Sequence, residues 1–505
     1  MAGTDNRLIF NPDYYSDKDL LGFNSHIDVL SNMICAPEFK TPFCIGIYGR
    51  WGTGKTTFMR LLEEAVKACM QDRLGKKKSE AEKYIIPVWF NPWRYAKEEH
   101  LIIPFLKTIQ QEINTYAEQN KEFLNKIYGK LTEFAKGIDD LADAFAFGVK
   151  QEFKFNGLGL TLGMNIDNSK IFERLEDLEA RRREEAKTLA DRLSSMYYGI
   201  VRNLKEQLKQ KPFRIIVFID DLDRCLPQKA VGLLEAVKLF LDLHGYLFVI
   251  GVDKEIVKQG IAEYYKHLDQ ESGEEKSKHT PDDYLDKMIQ LPLDLPHIAP
   301  DKRKEYIKTL LNNDTYGERA DIIDRVIGDN PRSLKRFINL LAFTTNLAEN
   351  LKQKIKENSK EKEDNQEVIE RYFVPLMYVK WSLIVYKFPA VHAEIKRDWT
   401  TLGKYQAAAI NNTEETKNMD DRLIEMLKKG AKKTAEDFFP ENRWLIENFI
   451  YLTESTRIQV SPADASAGII RQYKAGEMAL IPKGPFLYGE GNNQIEKKID
   501  HDYYT

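Results

Sequence analysis

Eight consecutive residues, Gly49-Arg50-Trp51-Gly52-Thr53-Gly54-Lys55-Thr56, carry the spacing G-x-x-x-x-G-K-T. Glycines at these places let backbone N–H groups turn inward around an anion, and a helix starting at the lysine presents its positive end to the same point. A lysine and a hydroxyl then supply what a metal-bound polyphosphate needs. The pattern predicts that Arg50, Trp51, Gly52, Thr53, Gly54, Lys55, Thr56 and Thr57 bind a nucleotide, with Lys55 on the β/γ oxygens and Thr56 on Mg2+. A second set of acids follows the apolar run Phe213–Ile219, in Asp220-Asp221-Leu222-Asp223-Arg224. There Asp220 is expected in the Mg2+ shell and Asp221 is expected to orient or deprotonate water. Asp221 and Asp223 compete for that base role, and adjacency to the metal acid favours Asp221. Asp253, after the run Tyr246–Val252, either senses the γ-phosphate or caps a helix starting at Lys254. Arg332, in Asn330-Pro331-Arg332-Ser333, either swings to the phosphates across a domain boundary or remains a surface cation.

Such groups need a sheet to hold them. Phe43–Tyr48, Ile85–Phe90, Phe213–Ile219 and Tyr246–Val252 read as strands buried on both faces, and 284–292 as a short helix leading into a last strand. Helical spacing follows the glycine loop at Phe58, Met59, Leu61 and Leu62, and precedes the first strand at Ile27, Leu30, Met33 and Ile34. The lead-in Asp19-Leu20-Leu21-Gly22-Phe23 offers apolar side chains either to a nucleotide base or to plain packing. At the carboxyl end of the second strand, Asn91-Pro92-Trp93-Arg94-Tyr95 stands where open α/β sheets hold ligands, which favours roles for Asn91 and Arg94. Trp89 and Trp93 read as packing residues.

The expected organisation is a nucleotide-binding core at 1–97 and 211–300, an insertion at 98–210, an all-helical domain at 301–460 and a tail at 461–505. The insertion opens with two helices, Pro104 falling in a first turn, where proline is tolerated. Its middle, 137–168, has glycines and alternating apolar residues and reads as a hairpin or irregular segment offered to a partner. Residues 169–210 read as one long charged helix, 268–283 as a charged loop, and 351–368 as a loop or frayed helix.

Charged residues make up 30% of the 505 but sum to a net charge of -3, so no global field argues for nucleic acid or membrane, and any such contact is local. The four cysteines show neither zinc spacing nor a disulfide framework, and the start lacks an apolar leader. A reducing cytoplasm is the expected compartment, with peripheral membrane association left open. No stretch reaches the roughly 18 consecutive apolar residues that span a bilayer.

The loop Gly49–Thr56, Phe90-Asn91-Pro92-Trp93, Asp220-Asp221-Leu222-Asp223-Arg224, Val252-Asp253 and Pro331-Arg332-Ser333-Leu334-Lys335-Arg336 together resemble the KAP family of P-loop NTPases, over about residues 15–345. That resemblance implies an α/β P-loop core, a parallel sheet flanked by helices, of the STAND-like, additional-strand class. It implies ATP and Mg2+ as cofactors and an ATPase switch that forms a homo-oligomer. A trigger or effector protein of phage origin and a place in bacterial anti-phage defence come with the analogy. Many relatives carry transmembrane helices between the two acidic and glycine motifs, whereas 98–210 here holds no span of that length. The alternative is a nucleotide-dependent scaffold with negligible turnover. Residues 477–490 read as two short strands around Pro482-Lys483-Gly484-Pro485, and with 499–504 they resemble the opening of formylglycine-generating-enzyme-like domains. That likeness implies a chain cut from a longer protein, with no such activity in the part present.

Overall fold

The structure, a computed structural model, describes residues 8–75, 84–98, 100–122, 124–157, 206, 213–240, 243–272, 281–357, 363–429, 438–454 and the short pieces 480–481, 484–488, 495–499 and 503–504. It divides into two compact units: Pro12–Tyr306 with Asp329–Ser333, and Met1–Asn11 with Ile307–Gly328 and Leu334–Thr505.

The first unit is built on a sheet of five strands: β1 (Phe43–Tyr48), β2 (Tyr84–Phe90), β3 (Phe213–Ile219), β4 (Tyr246–Val252) and β5 (Leu291–Asp294). Their order is β2-β3-β4-β1-β5 and every pairing is parallel. This is the α/β class the sequence predicts, and β4 lies between the strand before the glycine loop and the strand before the acids. β3 and β4 are buried at every position, which is why they read as unbroken apolar runs rather than alternating ones.

On one face, Cys44, Ile86, Val88, Phe90, Ile215, Val217, Phe248 and Ile250 form a single core with helices α3 (Ile102–Gln119), α4 (Tyr128–Gly157) and α5 (Pro227–Phe240). On the other, α2 (Lys55–Gly75) packs against α1 (Asn24–Cys35), with Phe23 edge-on to Phe58 at 5.5 Å. Arg214, buried at the start of β3, donates to the carbonyls of Ile34, Ala36 and Pro37, and so ties the end of α1 to the sheet. A cation on the last carbonyls of a helix satisfies acceptors that have no intrahelical donor.

Two readings of the insertion change. Its first helices are part of the core: Phe105, Leu106, Ile109, Ile113, Leu131, Phe134 and Ile138 are fully buried there. Residues 137–157 continue α4 rather than turning into a hairpin, because Leu131, Phe134, Ala135, Ile138, Leu141 and Ala142 keep a helical stripe facing that core. Gly148 within the helix costs only about 1 kcal/mol. The rest of the expected hairpin, 158–168, and all of the expected long helix but residue 206 lie outside the described residues. Likewise 268–272 close helix α6 (Lys254–Ser272) and 281–283 open α7 (Pro281–Met288), where the sequence predicts loop.

The second unit is helical around Pro375–Lys387, whose residues Leu376 to Lys387 are all buried. Trp381 donates to the Thr453 hydroxyl at 3.1 Å and packs against Phe439 and Phe449. In the tail, Leu480–Ile481 pairs with Tyr503–Tyr504 and Gly484–Tyr488 with Ile495–Ile499. The expected hairpin across Pro482-Lys483-Gly484-Pro485 is therefore not formed: the strands on either side of that turn take different partners. Among the described residues no helix is long and apolar enough to cross a membrane.

Candidate active site

The site lies at the carboxyl ends of β1, β3 and β4, where a parallel sheet gathers the loops that follow its strands. The glycine loop leaves β1 with the Gly49 N–H donated to the Val252 carbonyl at 3.2 Å, and closes on itself through the Thr53 hydroxyl and N–H to the Arg50 carbonyl. Gly52 (φ 85°) and Gly54 (φ 103°) take left-handed backbone that a side chain would strain. Lys55 begins α2. Its buried ammonium donates to the Gly49 carbonyl at 2.8 Å and the Arg50 carbonyl at 3.3 Å, and lies 3.6 Å from Asp223. Thr56 and Thr57 follow in the first turn, Thr57 buried. Arg50 and Trp51 stand exposed on the rim.

Asp220 is brought to Thr56 from 164 residues away, and the hydroxyl donates to Oδ2 at 2.7 Å. Burial raises the Asp220 pKa above the usual carboxylate range, and the Thr56 bond offsets part of that rise. A buried carboxylate beside a hydroxyl, both hard oxygen donors, fits Mg2+, which keeps several waters and takes the rest of its shell from phosphates. No cluster of three or more His, Cys, Asp or Glu side chains poised for a metal occurs among the described residues, and Mg2+ in such a site needs none.

Asp221 sits at φ 61°, ψ 28°, at the head of the 3-10 turn Leu222–Arg224. Both of its oxygens are engaged: Asn91 donates to Oδ2 at 2.9 Å, and Arg224 lies 2.7 Å from Oδ1. Asn91 comes from the end of β2, so one residue of the expected pair at that strand end meets the acids. Arg94 is exposed there and makes no described hydrogen bond to them. Trp93 departs from the packing reading: it is 52% exposed and faces the Arg224 guanidinium at 5.1 Å. Trp89 does pack, stacked on Phe218 at 4.8 Å, with its N–H on Glu63.

Asp223 accepts the Asp253 N–H at 3.1 Å besides facing Lys55. Asp253 itself accepts the Glu255 N–H at 3.3 Å, the helix-capping alternative. Arg332 belongs to the same compact unit as the glycine loop. Its N–H points at the Gly52 carbonyl at 3.4 Å, its guanidinium stacks on Trp51 at 4.6 Å, and Nε lies 2.7 Å from Asp13. Asn330 pins this turn, donating to the Trp51 carbonyl at 2.9 Å and accepting from the Arg332 and Ser333 N–H groups. Leu21 and Phe23 of the lead-in are buried, so both serve packing, and a methyl group on Gly54 would meet them at 3.0 and 3.4 Å.

Arg224, Asn330 and Asp13 are the participants that sequence reading did not assign. The Asn-Pro-Arg-Ser order, a capping residue before a proline, is a signal for Asn330. Arg224 at i+3 from Asp221 has a weaker one, and Asp13 has none.

A family model described as the KAP family P-loop domain matches residues 23–348. The chain is 24% identical over 331 residues to the phage T7 exclusion protein of Escherichia coli (strain K12), covering 65% of this chain and 39% of that protein. It is 33% identical over 52 residues to the kinase D-interacting substrate of 220 kDa of Rattus norvegicus, 10% of this chain and 3% of that protein. The chain thus spans about two fifths of the first relative's length and far less of the second's. Among solved structures, the Aeropyrum pernix ORC1 protein in complex with DNA shares 14% identity over 88% of this chain and 85% of its own, with a TM-score of 0.34, a likeness too loose to bear on ligands. The family match stops at 348 and lends no support to the formylglycine-generating-enzyme resemblance of the tail.

Proposed function

The chain belongs to the KAP family of P-loop NTPases, and from that membership we propose that it binds ATP with Mg2+ at the loop Gly49–Thr56, hydrolyses it slowly or on a trigger, and uses the bound state to control its own assembly or the docking of a partner protein. The observation that carries the reading is the 2.7 Å bond between the Thr56 hydroxyl and the Asp220 carboxylate, which brings together two hard oxygen donors from distant parts of the chain.

Bound Mg2+ supplies charge neutralisation on the β and γ oxygens. The chain's residues supply the rest. Thr56 and Asp220 hold the ion, and the loop N–H groups with Lys55 receive the phosphates. Asp221 orients the attacking water and takes its proton. It is preferred to Asp223 because it adjoins Asp220 and its side chain is 17% exposed, against 5% for Asp223, which faces Lys55 and accepts the Asp253 N–H. Asp253 and Arg332 are assigned to reading the nucleotide: the first lies where β4 ends between β1 and β3, the second stacks on the loop residue Trp51. The relative named for phage exclusion motivates a role in bacterial anti-phage defence, with a phage-derived protein as trigger.

Calorimetry with Mg2+-ATP and a phosphate-release assay under single turnover test the reading together. Lys55→Ala is expected to weaken ATP binding at least tenfold, since a point charge on the phosphates is lost. Asp221→Asn is expected to bind ATP within threefold of the parent and release no phosphate. Unchanged affinity in Lys55→Ala would defeat the nucleotide-site reading. A parent that binds ATP and releases no phosphate would instead favour the scaffold alternative.

A further inference from the structure

Arg224 is held in an unusual way. Its guanidinium lies 5.1 Å from the Trp93 ring and 5.8 Å from the Trp51 ring, while one nitrogen pairs with Asp221 Oδ1 at 2.7 Å. Among the described residues its buried Nε has no hydrogen-bond partner, and the two aromatic rings lie within cation–π reach of the guanidinium. Trp51 belongs to the glycine loop, Trp93 to the turn after β2, and Arg224 to the turn after β3. The Asp221 backbone adopts left-handed φ, a conformation that does not by itself fix where the carboxylate points. Donors on both oxygens do fix it, and one of the two is Arg224.

The geometry points to Arg224, within cation–π reach of both Trp51 and Trp93, as a positioning residue for Asp221 that couples the carboxylate to the glycine loop. The inference rests on the reading of Asp221 as the group that handles water. A planar guanidinium can stack on an indole and bond a carboxylate edge-on at once, whereas an ammonium at the end of a flexible stem cannot. The charge at position 224 is therefore insufficient, and the shape is required. Each oxygen of Asp221 retains a lone pair for water after accepting one donor.

The test is single-turnover ATP hydrolysis, with protein in excess, alongside calorimetric ATP affinity. The variants are Arg224→Ala, Arg224→Lys, Trp93→Ala and Trp93→Phe, with Asp221→Asn as reference. Turnover is expected to fall at least tenfold in Arg224→Ala and Arg224→Lys and at least threefold in Trp93→Ala. It recovers in Trp93→Phe, and affinity stays within threefold throughout. Should Arg224→Ala fail to fold, the Trp93 pair decides alone. Parental turnover in Arg224→Ala or Trp93→Ala, with Asp221→Asn inactive, overturns the positioning role and leaves the base assignment standing. A matched fall in affinity and turnover also overturns it, by showing a structural part only. Parental turnover in Asp221→Asn removes the base assignment and this inference with it.

Discussion

A methyl group on Gly52 would stand 2.7 Å from the Asn330 amide oxygen and 2.8 Å from the Arg332 Cβ, in a backbone conformation at φ 85° that only glycine adopts freely. Gly52→Ala therefore adds about 1–3 kcal/mol of backbone strain. It also pushes apart the loop and the turn that Asn330 joins. We expect ATP affinity to fall at least tenfold by calorimetry, and parental affinity would show that the loop tolerates the displacement. At this scale the glycine, lysine, threonine and acid positions were legible because phosphate and metal chemistry permits few residue types at fixed spacing. The partners that orient them were not. Arg224 meets Asp221 within one local turn, at i+3, but Asn91 meets it only after β2 and β3 pair in register, Phe90 opposite Ile219, and that pairing joins residues about 130 apart in the chain.

At the scale of elements, the buried strands were legible as apolar runs and the helices as stripes, but a stripe does not name what covers it. α3 and α4 were read as an insertion, and their apolar faces instead complete the core over β2 and β3. The alternation at 153–162 suggested strands, yet through Gly157 the helical register set by Leu131 to Ala142 continues. One helix of the second unit, Pro389–Arg397, carries His392 against Trp381 at 5.4 Å. Burial, with a smaller push from Lys396, lowers the His392 pKa to about 4 from the usual 6.5. As pH falls below 6.5 the unfolded chain takes up a proton that the folded ring refuses until about pH 4. The stability present above 6.5 is thus lost progressively on acidification across that window, by on the order of 2 kcal/mol because the ring keeps some contact with water. Thermal melts between pH 7.5 and about 4.5 should show a smaller acid shift for His392→Phe than for the parent. Equal shifts would place the acid sensitivity elsewhere.

At the scale of the whole molecule, the family match runs from residue 23 to 348 and so takes in the sheet, the acids and the Arg332 turn. Arg332, whose guanidinium lies over the loop residue Trp51, stands in the first turn of the helix Pro331–Glu357. We propose that bound ATP, rather than its hydrolysis, sets the assembled form. Light scattering of the Asp221→Asn variant, with and without Mg2+-ATP, measures this most directly. The expected mass is at least twofold higher with Mg2+-ATP than without it. An unchanged mass in a sample that calorimetry shows to be ATP-saturated would contradict it.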